Sequence, residues 1–225
     1  MKQGAGSIAI KMVFLITAVV MVVGCSSGGS SSPVAPAQVC TTCMTFVTAA
    51  TYSGDIKTAG GKANAIASAD SLCMADASKP AGGGTYKAML VDGVNRVACT
   101  TANCGGGVSE HIDWVLHAST TYVRSDGTTT VMITDTTGIW NFVDPITDPN
   151  NLPATFDTTG SRYRTGLEWN WIITDAAHRC GATPWTDGTS GSNDDYGFGD
   201  RADDSAIGGG ASTCDIPRNL LCIQQ

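Results

Sequence analysis

Of the nine cysteines in this chain, eight lie between residues 40 and 222, and one, Cys25, stands apart near the N-terminus. Cys40, Cys43, Cys73, Cys99, Cys104, Cys180, Cys214 and Cys222 could form disulfides, hold a soft metal ion or exchange electrons. Cys40-Thr41-Thr42-Cys43 has the spacing of a redox pair, and Cys40, Cys43, Cys99 and Cys104 could offer four thiolates to zinc. A redox pair normally opens a helix beside a strand, whereas this one sits where a tether meets a domain. Cys99-x4-Cys104 is loose spacing for zinc. In an oxidising compartment an even set reads as a framework of up to four bridges. The count alone leaves on the order of a hundred pairings open.

Cys25 has a different chemistry. Lys2 and Lys11 precede an apolar run, Met12 to Val23, that ends in Gly24-Cys25. A positive start, a short apolar core and a small residue before the cut make residues 1–24 a secretory signal. The run is too short for a membrane span, which needs roughly 20 apolar residues. Val22-Val23-Gly24-Cys25 resembles the bacterial lipobox, in which the cysteine is acylated and becomes the first mature residue. Residues 25–43 then form a lipidated cysteine and a Ser/Gly/Pro-rich tether, and residues 44–225 form the domain.

The acids offer a second chemistry. Asp187, Asn193, Asp194, Asp195, Asp200, Asp203 and Asp204 crowd the segment between Cys180 and Cys214. Calcium takes roughly six to eight oxygen ligands, and Gly/Asp loops can supply them. Their spacing fits neither an EF-hand nor a nonapeptide repeat, so no metal or cofactor is assigned and calcium stays a minor alternative. Asp148-Pro149-Asn150 mimics the Glu-Pro-Asn motif of calcium lectins but lies before the Trp169 segment rather than after it. It reads as a proline-capped surface loop. Trp114, Trp140, Trp169, Trp171 and Trp185 could line a groove or fill a core, and the core is the first reading. His111, His117 and His178 share no metal-binding spacing, and no nucleophile elbow or phosphate loop occurs. No enzyme is expected.

The chain carries a net charge of −7, and removing residues 1–24, with two lysines and no acid, leaves −9. Such a surface disfavours nucleic acid and polyanions as partners. The 201 residues that remain after cleavage suffice for one domain with a core.

These residues must be positioned by short elements. Met44 to Thr48 alternates and predicts a first strand. A helix is expected over Lys62 to Ala77, with Ile66, Ala69, Cys73 and Ala77 on one stripe. Strands are expected at Tyr86–Val91, Ile139–Val143, Glu168–Ile173 and Asn219–Ile223. Asp126-Gly127 predicts a hairpin over Tyr122–Val131, because Asp-Gly supplies positive φ angles. Pro145–Gly160 and the segment after Cys180 show no periodicity and are expected as long loops.

The order of landmarks resembles the endostatin domain of collagens. It starts with Ala69-Asp70-x-x-Cys73, then Gly84-Thr85-Tyr86-Lys87-Ala88, then Ser125-Asp126-Gly127. Trp169 follows, before a loop reaching Cys180 and Trp185, and the series closes with Ala211-Ser212-x-Cys214 and Leu221-Cys222-Ile223. The chain is also similar to endostatin-like outer-membrane lipoproteins of leptospires, sharing Phe46-Val47-Thr48, Thr51-Tyr52-x-Gly54 and Cys222-x-x-Gln225. The resemblance implies an α+β, C-type-lectin-like fold: a small twisted antiparallel sheet, a flanking helix, long loops and paired chain ends. It implies nested bridges, Cys73–Cys222 outside and Cys180–Cys214 inside. Cys40, Cys43, Cys99 and Cys104 are left to pair with neighbours or crosswise.

The arginine-rich heparin surface and N-terminal zinc histidines of endostatin have no counterpart here, so neither property is carried over. What the resemblance implies is a lipid-anchored domain on the bacterial outer membrane that binds proteins such as matrix or serum components. A carbohydrate-binding lectin and a structural envelope protein are the alternatives. Trp185, Asp187, Asp194, Asp195 and Asp200, on the long loop, are the expected ligand-binding residues, because loops are the variable surface of such a fold.

Overall fold

Two segments far apart in sequence lie side by side: β1 (Thr42–Val47) runs antiparallel to β8 (Leu221–Gln224), with Phe46 opposite Cys222. The computed structural model describes residues 40–142 and 150–225, all within one unit, Ala37–Gln225. The signal segment, Cys25, the tether to residue 39, Val143 and Asp148-Pro149 lie outside the described residues.

β2 (Tyr86–Ala88) pairs with the other side of β8. On the far side of β1 lie β3 (Thr121–Arg124) and β4 (Thr130–Ile133), giving the order β2-β8-β1-β3-β4. The β3–β4 hairpin turns at Asp126-Gly127 as expected, with Gly127 at φ 74°. The sheet is mixed rather than purely antiparallel, because β1 and β3 are parallel. A parallel pair needs a long crossover, and the chain between them supplies it with two helices and β2.

α1 (Ile56–Gly60) and α2 (Ala65–Ala75) form that crossover's helical part. Asn64 caps α2 by accepting from Ala67 N at 2.8 Å. Ile66, Ala69 and Cys73 are buried as the stripe requires. The helix stops short of Ala77 because Asp76 turns its carboxylate to the backbone N–H groups of Ala49, Ala50 and Ser78. Successive residues of β8 face opposite cores: Cys222 packs with the helices and Trp185, while Leu221 and Ile223 pack with Trp114, Trp171 and Tyr163. Buried Arg96 binds both carboxylate oxygens of Asp70 at 2.9 Å and the Ala88 carbonyl at 2.7 Å, clamping α2 to β2.

Four disulfides close the framework: Cys40–Cys43, Cys73–Cys222, Cys99–Cys104 and Cys180–Cys214. The two long-range bridges are the nested pair that the resemblance implied, and the remaining four cysteines pair with their neighbours. The first strand, at Thr42–Val47, takes in Cys43, which is fully buried, so the strand extends to either side of residue 44.

Three expected strands change character. Beyond Ala88 the chain leaves the sheet, with Val91 N donating to Thr165 O at 3.0 Å. Ile139 and Phe142 are buried without forming a strand. Glu168–Ile173 is a turn, closed by Trp171 N donating to Glu168 O at 3.0 Å, with Trp171 at φ 67°. The largest correction concerns the segment after Cys180. It holds β6 (Asn193–Phe198), α3 (Ser205–Gly208) and β7 (Gly210–Thr213). With β5 (Arg162–Arg164), the strands make a second, antiparallel sheet in the order β5-β6-β7. Gly197 lets α3 pack on β6, since a Cβ there would strike the Ala206 carbonyl. The α+β class is therefore present, built on two small sheets.

Candidate functional site

The five residues expected to bind ligand do not converge. Trp185 is fully buried and donates its indole N–H to Val91 O at 2.7 Å. Asp194 is fully buried on β6, where Arg164 Nη1 donates to its Oδ2 and Arg218 Nε lies 3.4 Å from the same oxygen. Both belong to the interior, which corrects their assignment to a loop surface. Asp187 stays outside but is occupied: Ser192 Oγ and Thr189 N donate to it, and these bonds hold its carboxyl below the usual range. Asp195 is pushed up to about 6, first by burial, and faces His178 at 3.7 Å. Asp200 is exposed near Gly160. Among the described residues no group of three or more His, Cys, Asp or Glu side chains could hold a metal ion.

The segment from residue 150 to Gly160 is likewise not a free loop. Leu152 and Phe156 are buried in the core, and Leu152 N donates to Ala202 O at 2.7 Å. Two other surfaces stand out.

One is a loop cluster clamped by the Cys99–Cys104 bridge. Asn103 N donates to Asn170 O at 2.8 Å, Cys99 pairs with Ile172, and Val97 pairs with Ile112, so residues 97–112 and 168–172 share one face. Asn103, Cys104, Asp113 and Trp171 all have positive φ, a conformation uncommon outside glycine. Glu110 locks the first loop by accepting from Thr100 N, Thr101 N and Thr101 Oγ1 at 2.6, 2.7 and 2.6 Å. Those bonds, the Thr101 hydroxyl first, hold its carboxyl down to about 2. This rigid face presents Val108 at 54%, Ile112 at 48% and Trp169 at 37% exposure. The strand expected over Glu168–Ile173 would place Trp169 and Trp171 on the same side. The turn sends Trp171 into the core and leaves Trp169 outside.

The other is an open cleft of about 530 Å³ where the end of β1, the Arg124–Asp126 turn, residues 156–161 and Asn219 meet. Arg124 Nε donates to Thr155 O at 2.6 Å, Thr155 Oγ1 donates to Asp157 O at 2.7 Å, and Asp157 N donates to Gly199 O at 2.9 Å. That chain of bonds fixes one wall. Asp126 turns its carboxylate onto Thr128 and Thr129, which hold it far below the usual range, the Thr129 hydroxyl contributing most. In the sequence Asp126 signals only a turn, and Arg124 carries no mark of a site. The one local signal was the Asp-Thr-Thr-Gly run at 157–160, which forms a side-chain-capped turn.

No curated protein matches the chain. A family model described as a protein of unknown function (DUF1554) matches residues 56–201, well over half of the sequence, and the chain belongs to that family.

Proposed function

We propose that this protein is a lipid-anchored, non-catalytic binding domain of the bacterial outer membrane whose partners are proteins, such as matrix or serum components. The observation that carries the reading is the face formed by residues 97–112 and 168–172. A half-exposed tryptophan and two exposed aliphatic side chains sit there on loops held by a disulfide, a locked glutamate and backbone pairings. Aromatic anchors on a pre-organised surface are where binding energy concentrates at protein interfaces.

The finer fold assignment, C-type-lectin-like and close to endostatin, is part of the same proposal. It is supported by the pairing of β1 with β8 and by the nested Cys73–Cys222 and Cys180–Cys214 bridges. Lipid attachment rests on Val22-Val23-Gly24-Cys25. No helix among the described residues is long and apolar enough to cross a membrane. The non-catalytic part rests on the acids: Asp194, Asp187, Asp113 and Asp203 are each engaged in structural bonds.

Full-length protein and a Trp169→Ala/Ile112→Ser variant, compared for binding to matrix and serum proteins, test the reading. The parent should bind at least one, and the folded variant should bind it at least tenfold more weakly. Equal binding by both would remove this face from the function. Metabolic labelling with a fatty-acid analogue should mark the parent and not a Cys25→Ala protein.

A further inference from the structure

The cleft between the Arg124–Asp126 turn and residues 156–161 is built for a ligand unlike a protein surface. Its volume of about 530 Å³ lies in the range of small-molecule sites, roughly 300–1,000 Å³. Three hydroxyls on its walls, those of Ser78, Ser125 and Thr158, bond to no other described residue, and the bonds from Arg124 to Thr155 leave Nη1 unused. Each hydroxyl can both donate and accept, and a guanidinium only donates.

The other ligand classes fit poorly. An anion would meet Arg124 flanked by the carboxylates of Asp126 and Asp157, so the wall is net negative. An apolar ligand would find no aromatic face, because Phe46 and Phe156 beneath the cleft are each only 3% exposed, and the small side chains of Val47 and Ala49 supply the apolar lining that reaches solvent. A lysine or arginine side chain would need an available carboxylate. Both oxygens of Asp126 are taken by Thr128 and Thr129, Asp157 Oδ1 is taken by Thr159 N and Gly160 N, and Asp157 Oδ2 is buried without a partner. Besides the occupied Asp126 carboxylate and the Arg124 edge, what the cleft offers a ligand is a set of neutral, two-way hydrogen-bonding hydroxyls.

We propose that this cleft binds one or two residues of a neutral saccharide through the hydroxyls of Ser78, Ser125 and Thr158 and the free edge of Arg124. Vicinal sugar hydroxyls present the same two-way donors and acceptors, so each contact exchanges a water hydrogen bond for an equivalent one on a pre-organised frame. The site is separate from the Trp169 face and does not depend on it.

The test uses the full chain with chelator present. Glucose, galactose, mannose, N-acetylglucosamine and their homodimers are titrated while saturation-transfer NMR and calorimetry report binding. At least one sugar should bind, and a Ser125→Ala/Thr158→Val variant should bind it about tenfold more weakly with an unchanged melting temperature. Thr158→Ser, which keeps the hydroxyl, should bind like the parent. The proposal is overturned if no sugar binds at millimolar concentration, or if the double variant binds as well as the parent. It is also overturned if a lysine-rich peptide, and no sugar, binds in a manner those substitutions weaken.

Discussion

Arg164 Nη1 donates to Asp194 Oδ2 at a point where neither side chain reaches solvent. The same guanidinium donates through Nη2 to the carbonyls of Cys214 and Ile216 at 3.1 and 2.7 Å, so it ties β5, β6 and the inner disulfide together. Arg218 completes the centre, lying 3.5 Å over the Tyr196 ring. Burial pushes Arg164 down and Asp194 up, and attraction between them opposes both shifts. Removing one partner leaves the other charge buried and alone, which is far worse than never having had the pair.

Asp194→Ala therefore strands two arginines and should destabilise the domain by about 3–5 kcal/mol in urea unfolding. Asp194→Asn should recover little, because it restores shape and not charge. Replacing Asp194 and Arg164 together by apolar residues should cost less than Asp194→Ala alone. A loss below about 1 kcal/mol for Asp194→Ala would mean the centre relaxes into water.

The four bridges should rank by the chain they close. Cys73–Cys222 spans 149 residues and Cys180–Cys214 spans 34, against 3 and 5 for the other two. Chain-entropy reasoning gives about 5 and about 4 kcal/mol for the long pair and about 2 for each short one. Paired Cys→Ser variants, unfolded without reductant, should reproduce that order. If removing Cys99–Cys104 proved the most damaging, its loop would be a folding element and not a clamp on a finished surface.

Local signals in the sequence are legible where one residue dictates one conformation. Asp126-Gly127 marked the hairpin, and Ile66, Ala69 and Cys73 marked the buried side of α2. The second sheet was invisible because its strands disguise their pattern. Asp194 occupies a core position that Arg164 and Arg218, both distant in sequence, make tolerable, while Gly197 and Gly199 are small because Ala206 and Asp157 approach them. Trp185 fits in the interior because it packs against Gly166, at φ 67°, where a Cβ would stand 2.8 Å from its ring. The cleft is hidden for another reason: its walls come from five separate stretches of chain, whose local motifs signal a strand and turns and not a site.

Gly197→Ala tests whether the second sheet is a close-packed unit. The new methyl would collide with the Ala206 carbonyl and the Tyr163 ring, and Tyr163 also donates its hydroxyl to Ala206 O at 2.7 Å. Overpacking of this kind costs roughly 1–3 kcal/mol, more when backbone is the obstacle. Thermal unfolding should show the loss, whereas Gly82→Ala, with open space around it, should change stability little. Equal melting temperatures for both would mean α3 does not pack on β6 in solution.

Asp195 sets a measurable pH dependence. Its side chain is 14% exposed and lies 3.7 Å from His178, which is itself 3.8 Å from Asp175. Its pKa is raised from 3.8 to about 6, first by burial, with His178 opposing the shift and Asp194, Asp175 and Glu168 adding to it. The folded state thus holds a proton that the unfolded chain releases near pH 4, so folding is favoured by protonation across that interval. Stability contributed by this group is full below about pH 4 and falls as pH rises through about 6, where the buried carboxylate ionises. Asp195→Asn cannot ionise and should flatten that slope. Relative to the parent it should gain on the order of 1–2 kcal/mol at pH 7, after allowance for partial solvent screening, and nothing at pH 4. Carboxylates held low by hydrogen bonds, such as Asp187, act in the opposite sense and only below about pH 4, so they cancel when variant and parent are compared. Urea titrations of both proteins between pH 4 and 7 read the difference directly. A variant less stable than the parent at pH 7 would show that attraction between Asp195 and a charged His178 outweighs the burial of the carboxylate.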